Sequence, residues 1–217
     1  MIRNLFILCS CLFLLSCTKQ NSIVGAGSIG EQNRTTAAFK SVHTTADIDA
    51  YIKKGNQFSI VLKGYENIIA ITETAVENDR LVVRYNNNYH SVNGSNLKAY
   101  ITMPELNGVG LYGSCMVYVD SFNNSTNLSL NIHGSGNIRV TNSIASNTIA
   151  GIYGSGNIIA RGLVTNKANV EIHGSGNTEI SVNSQLQSNI HGSGNVYYWG
   201  SPVVTTNIHG SGRVVKQ

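Results

Sequence analysis

Residues 131–137 read Asn-Ile-His-Gly-Ser-Gly-Asn, and this heptapeptide decides the fold because the chain repeats it with little change. Near-copies occupy 151–157, 171–177, 189–195 and 207–213, and a degenerate copy, Gly-Leu-Tyr-Gly-Ser-Cys-Met, occupies 110–116. The first glycine of each Gly-Ser-Gly falls at 113, 134, 154, 174, 192 and 210, so successive copies are 21, 20, 20, 18 and 18 residues apart. A period of this length indicates a stacked repeat in which each copy forms one coil.

Apolar and polar residues alternate on both sides of each Gly-Ser-Gly. The residue before each His or Tyr is Leu or Ile, and the alternation resumes after the glycines, as at Ile138 and Val140. A period of two indicates strands with one face in a core, and glycine permits the positive φ of a tight corner. The recurring Asn predicts side-chain ladders between coils. We therefore predict an all-β chain, a parallel β-helix-like β-solenoid of 18–21-residue coils from about residue 108, with N-terminal capping strands.

Short apolar segments separated by turn residues precede the repeat. They lie at 58–62, 68–72, 81–85 and 97–103, and they predict four strands. Charged residues make up only 12% of the chain, about half of the roughly 25% that is usual in globular domains. Because the basic residues are also scattered along the chain, the sequence argues against nucleic-acid binding.

The N-terminus predicts export and lipid attachment. Arg3 precedes an apolar run that is typical of a secretory signal peptide, here residues 1–16. The run ends in Leu-Leu-Ser-Cys, which resembles the bacterial lipobox, so Cys17 is the predicted lipid attachment site. Several acyl chains on one cysteine would make a firm membrane anchor. We expect a cell-envelope protein that is lipid-anchored in the outer membrane, on its periplasmic face or at the cell surface.

The remaining N-terminal residues are polar and rich in glycine. They predict a flexible tether over residues 17–33, followed by one domain over residues 34–217. Cys9 and Cys11 leave with the signal peptide and Cys17 carries the lipid, so Cys115 is the one thiol of the mature chain. We expect a small buried side chain there, since no histidine or cation adjoins it in the sequence.

The pattern as a whole resembles the head GIN domain family of autotransporter adhesins. The resemblance covers about residues 34–217 and rests on the coils together with four upstream segments, Phe-Lys-Ser-Val at 39–42, Phe-Ser-Ile-Val-Leu at 58–62, Leu-Val-Val at 81–83 and Ile-Thr-Met-Pro-Glu-Leu at 101–106. It implies an all-β, solenoid-like domain on secreted lipoproteins that are common in Bacteroidetes-type bacteria, with adhesion as the function. It brings no catalytic residues and no cofactor.

One slot of the repeat holds only aromatic rings. His133, His173, His191 and His209 share it with Tyr112 and Tyr153, and its parity is opposite to that of the core Ile, which places it outside. Adjacent rings should lie about 5 Å apart. A stacked ladder tolerates His and Tyr equally, so we favour a structural role. The alternative is a zinc or copper site among His173, His191 and His209.

Two acids flank one copy of the repeat and carry the enzyme hypothesis. A carbohydrate-active enzyme on a β-helix would need Glu171, Glu179 and Arg161 to converge in a cleft. The repeated serine is not a good candidate nucleophile either, because catalysis needs one activated serine, whereas this serine recurs in five equivalent turns. We therefore expect no enzyme activity.

The densest aromatic cluster is Tyr-Tyr-Trp at 197–199. By parity Tyr197 and Trp199 face outward, where their rings could stack on a glycan or a protein partner. The competing interpretation is that they only cover the last coils. The sequence favours a binding or structural module of the envelope, with adhesion as the leading function, and leaves assembly into a homo-oligomer open.

Overall fold

The computed structural model describes residues 21–123 and 125–217, which form a β-solenoid of about five turns. The first part of the chain forms β1 (Asn21–Val24), β2 (Ile29–Arg34), β3 (Ser41–Ala46), β4 (Asp49–Lys54), β5 (Ser59–Tyr65), α1 (Glu66–Ala70), β6 (Thr72–Glu77), β7 (Arg80–Tyr85), β8 (Tyr89–Asn93) and β9 (Lys98–Met103). The second part forms β10 (Gly108–Gly113), β11 (Met116–Asp120), β12 (Ser125–Gly134), β13 (Asn137–Thr141), β14 (Ser143–Gly154), β15 (Asn157–Gly174), β16 (Thr178–Gly192), β17 (Val196–Trp199), β18 (Val203–Gly210) and β19 (Val214–Lys216). No helix among these residues is long and apolar enough to cross a membrane.

The repeat coils, residues 108–217, stack by parallel strand pairing. The strand segments that precede the Gly-Ser-Gly corners lie side by side in the order β10, β12, β14, the end of β15, the end of β16 and β18. The segments that follow the corners also pair in parallel, in the order β11, β13, the beginning of β15, the beginning of β16, β17 and β19. Ile132, Ile152, Ile172 and Ile190 are fully buried between these two sets of strands. The predicted β-solenoid is confirmed.

Close backbone contact at the corners explains the glycines. Gly134 has φ 140°, and the N–H groups of Ser135 and Gly136 both donate to the carbonyl oxygen of Gly113, at 3.0 and 2.9 Å. The later corners repeat this pattern. A Cβ at the second glycine of a corner, such as Gly176, would overlap the carbonyl oxygen of the coil below. The second glycine is therefore required by space rather than by backbone conformation.

The predicted asparagine ladder runs along the same corner through Asn137, Asn157, Asn177 and Asn195. The side-chain oxygens of the first three accept from the backbone N–H and the side-chain amide of the next asparagine, over 2.9–3.2 Å, and that of Asn195 accepts from the N–H of Arg213 at 3.0 Å. One coil below the first, asparagine-free corner, Asp49 Oδ1 accepts from the N–H of Met116 at 2.9 Å. Met116 has no side-chain oxygen, so the N–H of Asn137 donates to the carbonyl oxygen of Cys115 at 3.0 Å and the asparagine ladder starts at Asn137. A carboxylate therefore does for the N–H of Met116 what an amide oxygen does for the N–H groups of Asn157, Asn177, Asn195 and Arg213.

The cap, residues 21–106, contains a coil that carries no repeat motif. In this basal coil, residues 41–54, β3 pairs in parallel with β10 and β4 with β11. Strands β7 and β9 continue the parallel stack beneath it. The stack then ends in antiparallel pairs, β6 on β7, β5 on β9 and β2 on β5. The parallel stack therefore ends at a set of antiparallel strands in the cap.

Two predictions for the N-terminal part are wrong. Residues 21–33 belong largely to paired strands rather than to a flexible tether, because β1 pairs with β8 and β2 with β5, and the Asn67 side chain bonds both Ala26 N and Val24 O. The segment 68–72 is not a strand. One helical turn, α1, buries the adjacent Ile68 and Ile69 together, whereas a strand would turn them to opposite faces.

Cys115 occupies the second-glycine slot of the first corner. Its side chain is 5% exposed, as expected, and Sγ lies 3.7 Å from Oγ1 of Thr44 in the basal coil. Burial raises the pKa of the thiol, which disfavours the reactive thiolate. The predicted signal peptide and the predicted lipid attachment site, Cys17, lie outside the described residues.

Candidate functional site

A column of seven neighbouring rings, six of them stacked, runs along the strands before the corners. This ring column consists of His43, Tyr112, His133, Tyr153, His173, His191 and His209. From Tyr112 onward the ring centroids are 4.7–5.2 Å apart and the planes differ by 3–17°. The exposed His and Tyr slot predicted from the repeat is therefore a stacked ladder.

The basal coil contributes the first ring, which the sequence pattern does not reveal. His43 is paired in register with Gly110 rather than with Tyr112, and its ring leans across to Tyr112 at 5.6 Å. A Cβ at Gly110 would lie 2.7 Å from the imidazole, so glycine makes room for the ring. Burial, followed by Arg80 and His133, lowers the pKa of His43 to about 4.

Glu171 is bound to the ring column. One carboxylate oxygen lies 2.6 Å from Nε2 of His173, and the other accepts from the Tyr153 hydroxyl at 3.3 Å. The bond to His173 is the largest of the causes that lower the pKa of Glu171. Since both side chains are about 40% exposed, solvent screens the pair and its contribution to stability is small.

The geometry of the ring column does not suit the zinc site considered at His173, His191 and His209. The centroids of adjacent rings are 4.8 and 5.1 Å apart in nearly parallel stacks. Two Zn–N bonds of about 2.1 Å span at most about 4.2 Å even in a straight line. The described residues also include no group of three or more His, Cys, Asp or Glu side chains placed to hold a metal.

The three groups of the enzyme hypothesis do not meet. Glu171 lies before the Gly-Ser-Gly corner, in register with Gly151 and Asn189, whereas Glu179 lies after it. The guanidinium of Arg161 stands over the Trp199 ring, 4.9 Å from its centroid. Glu171 and Glu179 therefore do not form the carboxylate pair that glycoside hydrolysis requires.

The strands after the corners carry a second exposed surface, which we call the aromatic face. Its central column consists of outward positions that are neighbours in register, Tyr100, Tyr51, Tyr118, Arg139, Ile159, Glu179 and Tyr197. Trp199 lies beside Tyr197 on the same face, in register with Ser181. Tyr197 and Trp199 are half-buried on this face, with the Trp199 ring against the Arg161 guanidinium.

Three tyrosines that the sequence pattern misses stand at the other end of the aromatic face. Tyr51 is stacked between Tyr100, at 5.0 Å and 17°, and Tyr118, at 4.8 Å and 9°. The three tyrosines line a cleft of about 400 Å³, which we call the tyrosine cleft, and Lys53 and Asp120 also line it. Alternation along each strand could have shown that each tyrosine points outward. The sequence does not show that β4 lies between β9 and β11, so it does not predict that the three rings are neighbours.

The parallel coils, the glycine corners and the exposed ring columns define a β-solenoid with a polar, weakly charged surface. The profile described as "Putative auto-transporter adhesin, head GIN domain" matches residues 38–202. The chain belongs to this family. No curated protein sequence matches the chain.

Solved structures from Bacteroides and Parabacteroides species share the fold. A putative adhesin from Bacteroides fragilis superposes with a TM-score of 0.71 at 20% identity, over 90% of this chain and 100% of that one. A putative lipid binding protein from Parabacteroides distasonis has a TM-score of 0.58 at 22% identity, over 91% and 100% of the two chains. A putative adhesin from Parabacteroides merdae has a TM-score of 0.58 at 18% identity, over 90% and 99%. At these identities the likeness concerns the fold.

Proposed function

We propose that this chain is a non-enzymatic adhesin of the cell envelope, anchored by a lipid on Cys17, that binds a glycan or a protein through its aromatic face. Membership of the head GIN domain family supports the adhesin class. The likeness to putative adhesins of Bacteroidetes supports an envelope location. The lipid anchor rests on the Leu-Leu-Ser-Cys sequence at 14–17.

The observation that carries the proposal is the fixed position of aromatic rings on a regular sheet. Trp199 is held by Arg161, 4.9 Å from the ring centroid, and Tyr197 stands in the adjacent column. Aromatic and Arg side chains dominate the energy of protein interfaces, and rings that are already ordered lose little entropy when a partner binds. Parallel pairing of the supporting strands keeps these rings at a fixed spacing.

A glycan and extracellular-matrix protein array probed with the purified chain tests the proposal. We expect specific binding that Trp199→Ala weakens by about tenfold and Trp199→Phe largely retains, because the ring rather than the indole N–H makes the contact. Vesicles on the same array include the ligand class named for the Parabacteroides distasonis neighbour. An array without any specific signal, or binding to vesicles alone, would count against adhesion.

The anchor requires a separate measurement. We expect the wild-type chain in the outer-membrane fraction and the Cys17→Ala chain in a soluble fraction, because the variant has no residue to acylate. Protease treatment of intact cells then distinguishes exposure at the cell surface from the periplasmic face. Equal membrane partition of both chains would contradict the lipid anchor.

A further inference from the structure

The tyrosine cleft exists because a column of large rings ends at a small residue. Tyr118, Tyr51 and Tyr100 follow one another in register, and the next outward position, on β5, is Val61. A valine cannot cover a phenol ring, so Tyr100 remains 39% exposed although its other side is stacked at 5.0 Å on Tyr51. The ring of Tyr100 is therefore an accessible apolar surface that packing already holds in place.

A hydrogen-bond acceptor of fixed orientation lies at the edge of the cleft. The Asp120 carboxylate accepts from the hydroxyls of Ser121 and Thr141, both at 2.8 Å, and from the Asn142 amide at 2.9 Å. These bonds lower the pKa of Asp120, so the group is an anion at neutral pH. A carboxylate oxygen has more than one lone pair, so Asp120 can still accept a bond from a ligand.

A donor stands next to this acceptor. Lys53 is in register with Asp120 on the neighbouring strand β4, and no described carboxylate lies within 4.0 Å of its amino group. A free donor and an oriented acceptor on adjacent strands match two neighbouring hydroxyls, one accepting and one donating.

We propose that the tyrosine cleft binds a neutral pyranose unit of a glycan, with Tyr100 against the C–H face of the sugar and with Asp120 and Lys53 bonded to adjacent hydroxyls. The site deepens the proposed adhesin function, on which it rests for the envelope setting, and places the contact at the end of the aromatic face opposite Trp199. A sugar ring has one apolar face and a hydroxylated rim, and the cleft offers an apolar ring and a polar edge in the same arrangement.

Size and charge favour this ligand over an acyl chain or an acidic sugar. The volume of about 400 Å³ lies within the roughly 300–1,000 Å³ of small-molecule sites. An acyl chain gains nothing from the charged edge, where Lys53 and Asp120 would lose water without a partner. The Asp120 anion disfavours a second carboxylate beside it.

Saturation-transfer NMR with methyl glycosides of glucose, galactose and mannose, with free N-acetylglucosamine and with dodecanoate, tests the site on the purified chain. We expect at least one sugar to bind, with an affinity that Tyr100→Ala lowers by about tenfold and Tyr100→Phe retains. Lys53→Ala, at an exposed position, should lower the affinity by about three- to tenfold without affecting the fold. Tyr112→Ala is the matched control, because Tyr112 is 40% exposed but lies in the ring column.

The outcomes separate this proposal from the adhesin proposal. Sugar binding that is lost in Tyr100→Ala and Lys53→Ala but kept in Tyr112→Ala supports the cleft. Binding that only Trp199→Ala removes overturns the cleft and leaves the adhesin proposal standing. Binding of dodecanoate alone, or of no probe, also overturns the cleft, and the protein arm of the array then decides adhesion. If Tyr100→Ala fails to fold, the Lys53→Ala result decides.

Discussion

The repeat coils and the cap use the same parallel stacking but differ in what occupies equivalent positions. In the repeat coils each slot holds nearly the same residue, with glycine at the corner, Asn in the ladder and His or Tyr in the ring column. At the boundary between the two regions, Asp49 of the cap takes the place of the ladder Asn and His43 of the cap reaches the ring column from a different register. In the first repeat coil, which packs on the cap, Cys115 takes the place of the second corner glycine. One geometry therefore accepts different residues where the coil beneath has a different shape.

Exchange of the corner residues should give the largest effect. Gly176→Cys places a Cβ on the carbonyl oxygen of Gly156, and we expect a loss of more than about 4 kcal/mol or a failure to fold. Cys115→Gly removes only a small buried side chain and should cost about 1–2 kcal/mol. Urea unfolding measures both. Equal costs would show that the two corners do not differ as described.

Changes in the ladder should have an intermediate effect. Asn157→Ala leaves the N–H of Asn177 without its acceptor and removes two side-chain bonds, so we expect a loss of about 2–3 kcal/mol. At the first corner, Asp49→Asn keeps an oxygen for Met116 N and should cost less than about 1 kcal/mol. Unfolding midpoints of the two variants at neutral pH test this. A costly Asp49→Asn would mean that the carboxylate charge, rather than its oxygen, is required.

The imidazole of the cap should make stability depend on pH. The folded pKa of His43 is about 4, below the ordinary value of 6.5, so the unfolded chain binds the proton more readily between these values. The contribution of His43 is therefore complete above pH 6.5 and is lost as the pH falls toward 4. Allowing for solvent screening, we expect a loss of about 1–2 kcal/mol.

His43→Phe isolates this effect because it keeps a ring over Gly110 but cannot titrate. The difference in free energy of unfolding between wild type and variant should change between pH 6.5 and 4, while all other groups cancel. Parallel pH profiles for the two proteins would refute the assignment to His43.

The smallest effect is expected at the exposed pair in the ring column. Glu171→Gln keeps a bond to His173 but loses the charge, and an exposed pair of this kind contributes about 0–1 kcal/mol. We also expect the wild-type chain and Glu171→Gln to be equally inactive in polysaccharide depolymerisation. Activity that this substitution abolishes would revive the enzyme hypothesis.

The two regions also differ in how far the sequence predicts them. The heptapeptides predicted the corners, the asparagine ladder, the ring column from Tyr112 to His209 and the buried Ile positions, except Ile208, which is 38% exposed in the last coil. The tether and the strand at 68–72 were mispredicted because polar or apolar composition does not specify pairing. The strands β1 and β2 are held by backbone bonds to β8 and β5, and these bonds leave almost no trace in side-chain pattern.

The candidate sites follow the same division. Tyr197 and Trp199 were found because their parity can be counted from the corner at 192–194, although their role in binding stays a prediction. The stack of Tyr51, Tyr100 and Tyr118 could not be found, since its members lie on strands that no motif aligns. For the same reason the sequence does not predict that Lys53 and Asp120 are neighbours in register.

By itself the sequence determined the coil, its period and which residues point inward, because these depend on alternation along one strand and on glycine at fixed intervals. Only the tertiary structure decided that residues 41–54 form a basal coil, that His43 joins the ring column across Gly110, and that three tyrosines stack beside a cleft. These features depend on which distant strands become neighbours. That choice is made by burial of the whole stack, which no single segment encodes.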